Sequence, residues 1–284
     1  MRRHVTKPLK LAFIGYGEVG KLFARQFREK GVAGMTAYDL LFDDPSRGAE
    51  KRAEAQQANV SAGASAADAA RDADVVFSCV TADQAEPVAR LARSYLRPGQ
   101  FFVDVNSAAP ETKRRAAAEV MAAGAHYIEA AVMAPVAPKG IATAILAGGP
   151  EAGRAAALLN PLGMDVAPVS SEYGRASATK LSRSIMIKGI EALIVDAARS
   201  ARAWGVADDV FASLERTFPG TDFAALADNM AERVRTHGLR RAAEMREAAD
   251  MLDDLGVNSS LARAVADAQE RGAAVNADKA KSTR

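Results

Sequence analysis

The stretch that most limits what this chain can fold into is Gly15-Tyr-Gly17-Glu-Val-Gly20. It follows a short apolar run, Leu11 to Ile14, which predicts a buried parallel strand. It also opens a segment with Val19, Leu22, Phe23 and Phe27 on one face of a helix. A strand that turns into a helix through glycines at this spacing has a physical purpose. Gly15 permits the tight turn, Gly17 lets a pyrophosphate approach the backbone, and Gly20 lets the helix pack close to the strand. The amides of the first helical turn, around Tyr16, Glu18 and Val19, would hold phosphate oxygens with the helix dipole behind them. A second strand, Met35 to Tyr38, ends at Asp39, nineteen residues after Gly20. A carboxylate there accepts hydrogen bonds from both adenosine ribose hydroxyls and repels a 2′-phosphate, so it favours NAD over NADP. Arg47 and Lys51 follow closely and would offset that preference; the alternative for Asp39 is a surface turn residue.

Further apolar runs recur with helical segments between them: Val75 to Val80, Phe101 to Asn106, Tyr127 to Val132, Thr143 to Leu146 and Met164 to Val169. Val60 falls in a short strand, and Ser65 with Asp68 forms a capping arrangement before the third run. Strands apolar on both faces, alternating with helices, predict a doubly wound parallel sheet of Rossmann type. After Val169 the pattern becomes helical throughout, with turns at Phe218-Pro-Gly220 and Gly256-Val-Asn258. The expected organisation is a dinucleotide-binding domain over residues 1–171 and an all-helical domain over 172–284, with a fraying tail from Asp278.

Composition excludes several classes. Lys plus Arg number 37 against 35 Asp plus Glu, which gives no reason to expect nucleic acid or a membrane surface. The chain is 49% hydrophobic and carries one cysteine, Cys79, within a strand-like run. That fits a small core residue in a reducing compartment, and a cytoplasmic protein is expected. No apolar stretch reaches membrane-spanning length, and no signal-peptide core follows the basic start. His4, His126 and His237 lack metal-ligand spacing, so no metal is expected.

Val80-Thr81 and Asn106-Ser107 sit at strand ends, where open α/β sheets bind ligands. The Asn106 carboxamide both donates and accepts, so it suits a nicotinamide or a substrate hydroxyl; capping the next helix is its alternative, and Ser107 could serve there too. Lys180 stands near the start of a long helix, with Ser184 one turn on and Arg183 beside it. A desolvated lysine there can take or give a proton near neutral pH, the alternative being a solvated helix lysine. Trp204, at the end of that helix, reads as core packing or a dimer contact.

These motifs together resemble the β-hydroxyacid dehydrogenases, the family of 6-phosphogluconate and 3-hydroxyisobutyrate dehydrogenases. Gly15 to Gly20 matches the cofactor motif, Asp104-Val-Asn106-Ser-Ala-Ala-Pro110 is similar to the segment before the nicotinamide site, and Gly174 to Lys180 is similar to the motif opening the interdomain helix. The resemblance implies that Lys180 is the catalytic acid/base. Two segments depart from it. Where the family carries Asp-Ala-Pro-Val-Ser-Gly-Gly, whose amides hold the substrate carboxylate, this chain has Glu129-Ala-Ala-Val-Met133-Ala134-Pro135. Where the family places two asparagines after its lysine, Arg183 and Ser184 stand. The lysine segment, followed by Lys188-Gly-Ile-Glu-Ala-Leu193, resembles a branch with a short helical C-terminal domain.

The expectation is an NAD-dependent dehydrogenase of a small hydroxy acid or related alcohol. Asn106, Met133, Arg183 and Ser184 are its expected substrate contacts, and Lys180 is expected in the cleft between the domains, facing the nicotinamide end. A carbonyl or imine reductase, or a non-catalytic nicotinamide-binding sensor, are the alternatives. A homodimer through the helical half is expected from the apolar segment Leu181 to Trp204.

Overall fold

This computed structural model describes residues 8–282, with side chains as far as Ala274; His4 and the tail residues Thr283 and Arg284 lie outside them. The chain forms two compact units, Met1–Lys180 and Leu181–Arg284.

In the first unit, β1 (Lys10–Ile14) leads through the glycine turn into α1 (Glu18–Glu29), followed by β2 (Gly34–Tyr38), α2 (Gly48–Gln57), β3 (Ser61–Ala62) and α3 (Ala66–Ala70). Next come β4 (Val75–Ser78), α4 (Ala85–Ala92), β5 (Phe101–Asp104), α5 (Pro110–Ala122), β6 (His126–Val132), β7 (Ala144–Gly148), α6 (Ala152–Leu159) and β8 (Asp165–Ser170). The strands form one sheet in the order β3-β2-β1-β4-β5-β6-β7-β8. Alternation along β1 shows why it packs two layers. Leu11 and Phe13 enter a core with Phe23 and Phe27 of α1 and the alanines of α6, while Ala12 and Ile14 face the alanines of α3, α4 and α5. Phe13, Phe23, Phe27 and Phe77 form a continuous aromatic cluster, with Phe13 stacked on Phe77 at 5.5 Å between centroids. Each such ring withdrawn from water contributes roughly 1.5–3 kcal/mol.

The expectation of an all-parallel sheet is corrected at one pair. β6 and β7 run antiparallel, and β8 then pairs parallel to β7. The link between β6 and β7 contains only a single 3₁₀ turn, Gly140–Ala142. A parallel return requires a crossover of a dozen or more residues, usually a helix, so this short link folds straight back.

The second unit is helical. α7 (Arg175–Trp204) runs into it from the first unit, followed by α8 (Ala207–Thr217), α9 (Phe223–Asp254) and α10 (Ser260–Ser282). The backbone thus continues as helix through most of the tail for which fraying is expected. In this unit α7 buries a mixed face, in which Leu181, Val195 and Ala198 adjoin a polar stripe. Its buried residues include Ser184, Lys188 and Glu191, spaced at i, i+4 and i+7, whereas Met186 (62%), Ile190 (41%) and Leu193 (70%) are exposed. The buried polar stripe is held by α9 and α10. Glu244 Oε1 accepts from the Ser184 hydroxyl at 2.6 Å and from Lys188 Nζ at 3.0 Å. Arg241 and Gln269 bond the Glu191 carboxylate. Burial lowers the pKa of Lys188 from its ordinary value. Trp204 is 82% exposed, so core packing is not its role.

Candidate active site

Because β2, β1, β4 and β5 are parallel neighbours, their C-terminal ends bring Asp39, Gly15, Val80 and Asn106 to one rim of the sheet. The chain order reverses between β1 and β4, the switch point at which open α/β sheets take ligands.

The glycine turn is sterically committed. Gly15 has φ of +89°, and a Cβ on it would drive into the carbonyl oxygen of Cys79. A Cβ on Gly20 would sit 2.5 Å from the carbonyl oxygen of Gly15. Gly17 has open space around it and gives α1 no side-chain cap. The amides of Glu18 and Val19 are therefore left to an external acceptor, whereas that of Tyr16, expected with them, is taken by Asp39. Val80 lies against Gly15 from the next strand, half-buried, and Thr81 is exposed beside it. Cys79 is half-buried by residue, and burial of its thiol raises its pKa.

Asp39 ties β2 to this turn. One carboxylate oxygen accepts from the Tyr16 amide at 2.6 Å and the other from the Leu41 amide at 2.9 Å. Each oxygen keeps a second lone pair for a ribose hydroxyl. Lys51 is engaged by Glu54 and Glu50, and Arg47 is exposed.

Asn106 lies two residues beyond the end of β5 and is 4% exposed. Its Nδ2 donates to Ser78 Oγ at 2.9 Å and its backbone amide to Asp104 Oδ1 at 2.9 Å, whereas its Oδ1 has no partner. Ser107 Oγ is likewise buried without a partner. Neither residue caps α5, which is entered through Ala109 and Pro110 with no side-chain cap. An orphaned buried carbonyl costs about 1–3 kcal/mol, an arrangement that a ligand N–H or O–H would relieve. The uncapped turn, the close-packed glycines and this orphan together fit a dinucleotide.

Beneath Asn106 lies a cluster that sequence reasoning missed. Lys113 Nζ pairs with Asp104 Oδ1 at 2.9 Å, and the Tyr127 hydroxyl donates to Asp104 Oδ2 at 2.6 Å, all three fully buried. Burial, with the Asp104 charge beside it, pushes the Tyr127 phenol well above its usual pKa and keeps it a donor. The signal was available: Lys113 shares a helical face with buried Ala116, Ala117 and Val120, and Asp104 closes a wholly apolar run. Glu129, the cross-strand neighbour of Asp104, is also buried and accepts from the amides of Gly174 and Ser177 at 2.6 Å each. It thereby anchors the first turn of α7.

Lys180 follows that anchored turn, half-exposed, as the last residue of the first unit. Arg183 is exposed, and Ser184 is buried against Glu244 in the second unit. The Met133 amide donates to Ala144 O at 2.9 Å, extending the β6–β7 pairing, and Pro135 has no N–H. Neither backbone nitrogen can hold a substrate carboxylate.

The model for the NAD binding domain of 6-phosphogluconate dehydrogenase matches residues 10–193. The chain belongs to this family. A domain of unknown function (DUF1932) matches residues 201–272. Among solved structures, the chain is similar to a conserved hypothetical protein from Sinorhizobium meliloti 1021, with 36% identity, a TM-score of 0.79, and coverage of 95% of this chain and 90% of that one. It is also similar to a conserved protein of unknown function described as structurally similar to 3-hydroxyacid dehydrogenases, with 30% identity, a TM-score of 0.73, and coverage of 93% and 98%. Mycobacterium tuberculosis 3-hydroxyisobutyrate dehydrogenase shares the fold, with 20% identity, a TM-score of 0.75 and 94% coverage of both chains. The family assigns the first unit as a nicotinamide-cofactor binding domain. Among the described residues, no helix is long and apolar enough to cross a membrane.

Proposed function

We propose that this family member is an NAD-dependent oxidoreductase acting on a small hydroxy acid or related alcohol, with Lys180 as its acid/base. The observation that carries the reading is the buried, unpartnered Asn106 carbonyl on the rim shared with the glycine turn. The uncapped first turn of α1 would hold the pyrophosphate and Asp39 the ribose. Val80 and Thr81 would flank the cofactor. Bound there, the nicotinamide supplies the hydride acceptor. The chain supplies position and proton transfer. Asn106 Oδ1 accepts a hydrogen bond from a carboxamide or hydroxyl. Neutral Lys180 Nζ takes the alcohol proton as the carbinol C–H bond breaks, and returns it when a carbonyl is reduced. The exposed Arg183 guanidinium is the candidate carboxylate anchor, as a planar fork suited to two parallel hydrogen bonds. The Met133 side chain completes the substrate contacts, whereas Ser184, buried with its hydroxyl donated to Glu244, does not take the substrate role expected of it.

The spent amide of Met133 and the missing one of Pro135 favour a second reading, a carbonyl or imine reductase whose substrate has no carboxylate. One assay separates the two. NADH consumption is followed with keto acids, with simple aldehydes and ketones, and with ketone–amine mixtures. Turnover confined to keto acids supports the first reading, and turnover of the uncharged carbonyls or mixtures supports the second. Tight NADH binding with no turnover across the panel would leave only a nicotinamide-binding sensor.

Cofactor choice follows from Asp39. NAD(H) should bind more tightly than NADP(H), and Asp39→Ala should narrow the difference, measured by fluorescence titration of the reduced cofactors. Equal affinities in the unmodified protein would defeat this assignment.

The exposed apolar residues of α7 support a homodimer. A stripe of Met186, Ile190 and Leu193 left outside on a helix that already buries another face is an interface awaiting a copy of itself. Light scattering at micromolar concentration should give at least twice the chain mass, and a monomer mass would remove the proposal.

A further inference from the structure

Apart from the strand-end rim, the first unit has a groove of about 630 Å³ between α1 and α2. Tyr16, Lys21, Leu22, Arg25, Arg28 and Glu54 carry its chemistry. Two buried donors in it are unsatisfied. Tyr16 is 3% exposed with its ring tilted against Phe42 at 6.2 Å, and its hydroxyl has no partner. Arg28 bonds the Asn59 carbonyl through Nη2, but its Nε–H has no partner. The two groups feel each other, since the Arg28 charge opposes the rise that burial and Glu54 impose on the Tyr16 phenol. Among the described residues Arg25, one turn before Arg28, has no ion-pair partner, and it is exposed.

The charges are ordered along the wall. Glu18 and Glu29 are the first and last residues of α1, and the cations Lys21, Arg25 and Arg28 lie between them. The carboxylate facing that middle stretch, Glu54, is already claimed by Lys21 and Lys51 and titrates at about 2. What stays open is an unsatisfied N–H and an unsatisfied O–H donor, the exposed Arg25 guanidinium, and apolar lining from Leu22 and Ala58. Unmade hydrogen bonds of buried donors are costly, and charge-assisted bonds from arginine to an oxyanion are the strong way to satisfy them. The volume lies in the range of small-molecule sites.

We propose that the α1–α2 groove is a second ligand site, taking a small organic oxyanion, a carboxylate or a phosphate monoester, on Tyr16 Oη, Arg28 Nε and Arg25. This site stands independently of the oxidoreductase reading. Calorimetric titration of the full chain with sodium butyrate and with glycerol 3-phosphate, at constant ionic strength against sodium chloride, tests it. At least one of the two should bind saturably with one site per chain, and which one binds tells carboxylate from phosphate. Tyr16→Phe, which removes one oxygen atom, and Arg28→Gln should each weaken that binding at least tenfold, and Arg25→Ala should weaken it without touching the interior. Melting curves recorded alongside show that each variant is folded. Absence of saturable binding would overturn the proposal. So would binding that is indifferent to all three substitutions, which would put the anion on the glycine turn instead.

Discussion

Lys180→Ala should lower turnover by about 10²–10⁴-fold, the usual range for removing a general acid or base. The expectation follows from chemistry that no neighbour can replace. Asn106 offers hydrogen bonds but no ionisable proton, a guanidinium such as that of Arg183 has no lone pair with which to accept one, and the Ser184 hydroxyl already donates its hydrogen bond to Glu244. In the role proposed for it, Lys180 is the group on this stretch of α7 that can alternate between charged and neutral forms. Affinity for NADH should change little in the variant, because the glycine turn and Asp39 are untouched. Steady-state kinetics on whichever carbonyl the unmodified protein reduces, paired with NADH titration, makes the measurement. Turnover close to normal would remove Lys180 from the reaction. A parallel loss of NADH affinity would recast it as a cofactor contact.

Lys113→Met should destabilise the first unit by about 3–5 kcal/mol, the cost of stripping one partner from a buried ion pair. Asp104 is fully buried, and without the ammonium it would be left to the hydrogen bonds of the Tyr127 hydroxyl and the Asn106 amide. For a unit of this size the melting temperature should fall by roughly 6–20 °C. The double variant Asp104→Asn, Lys113→Met should recover part of that loss, since it removes the uncompensated charge; the carboxamide oxygen can accept from the Asn106 amide while its NH2 donates to the Tyr127 hydroxyl oxygen, which must turn from donor to acceptor. Thermal melts followed by circular dichroism decide it. A single variant as stable as the parent would show that water reaches Asp104. A double variant no better than the single one would show that Lys113 matters as packing.

What the sequence revealed and what it concealed divide along physical lines. The glycine turn was legible because its geometry admits no substitute, with Gly15 at a positive φ and Gly20 pressed against a carbonyl. The strand ends at Asp39 and Asn106 were legible because apolar runs stop where a buried sheet stops. The direction of β7 was not, since an apolar run such as Thr143 to Leu146 reads the same whichever way it pairs. Lys113 hid among the charges of Glu111-Thr-Lys-Arg-Arg115, where only the phase of Ala116, Ala117 and Val120 shows which cation turns inward. On α7 the apolar content of Leu181 to Trp204 left the buried face open. The interior took Ser184, Lys188 and Glu191 beside Leu181, Val195 and Ala198, because polar partners on α9 and α10 were waiting for the first three. Periodicity reports which residues share a face, and the partners decide which face goes inside.

The grip of Glu129 on the start of α7 bears on how the first unit comes into being on the ribosome. The carboxylate belongs to the sheet, but both of its donors lie far downstream, at separations of 45 and 48 residues. Until Gly174 and Ser177 have been synthesised and have left the exit tunnel, Glu129 lacks the two amides that satisfy it in the folded unit, and burying it in the sheet carries the cost of unmade hydrogen bonds. A chain ending at Ser171 would hold every strand and still lack these two amides. The last strand therefore leaves a buried carboxylate in the sheet without its partners, and the opening turn of a helix supplies them.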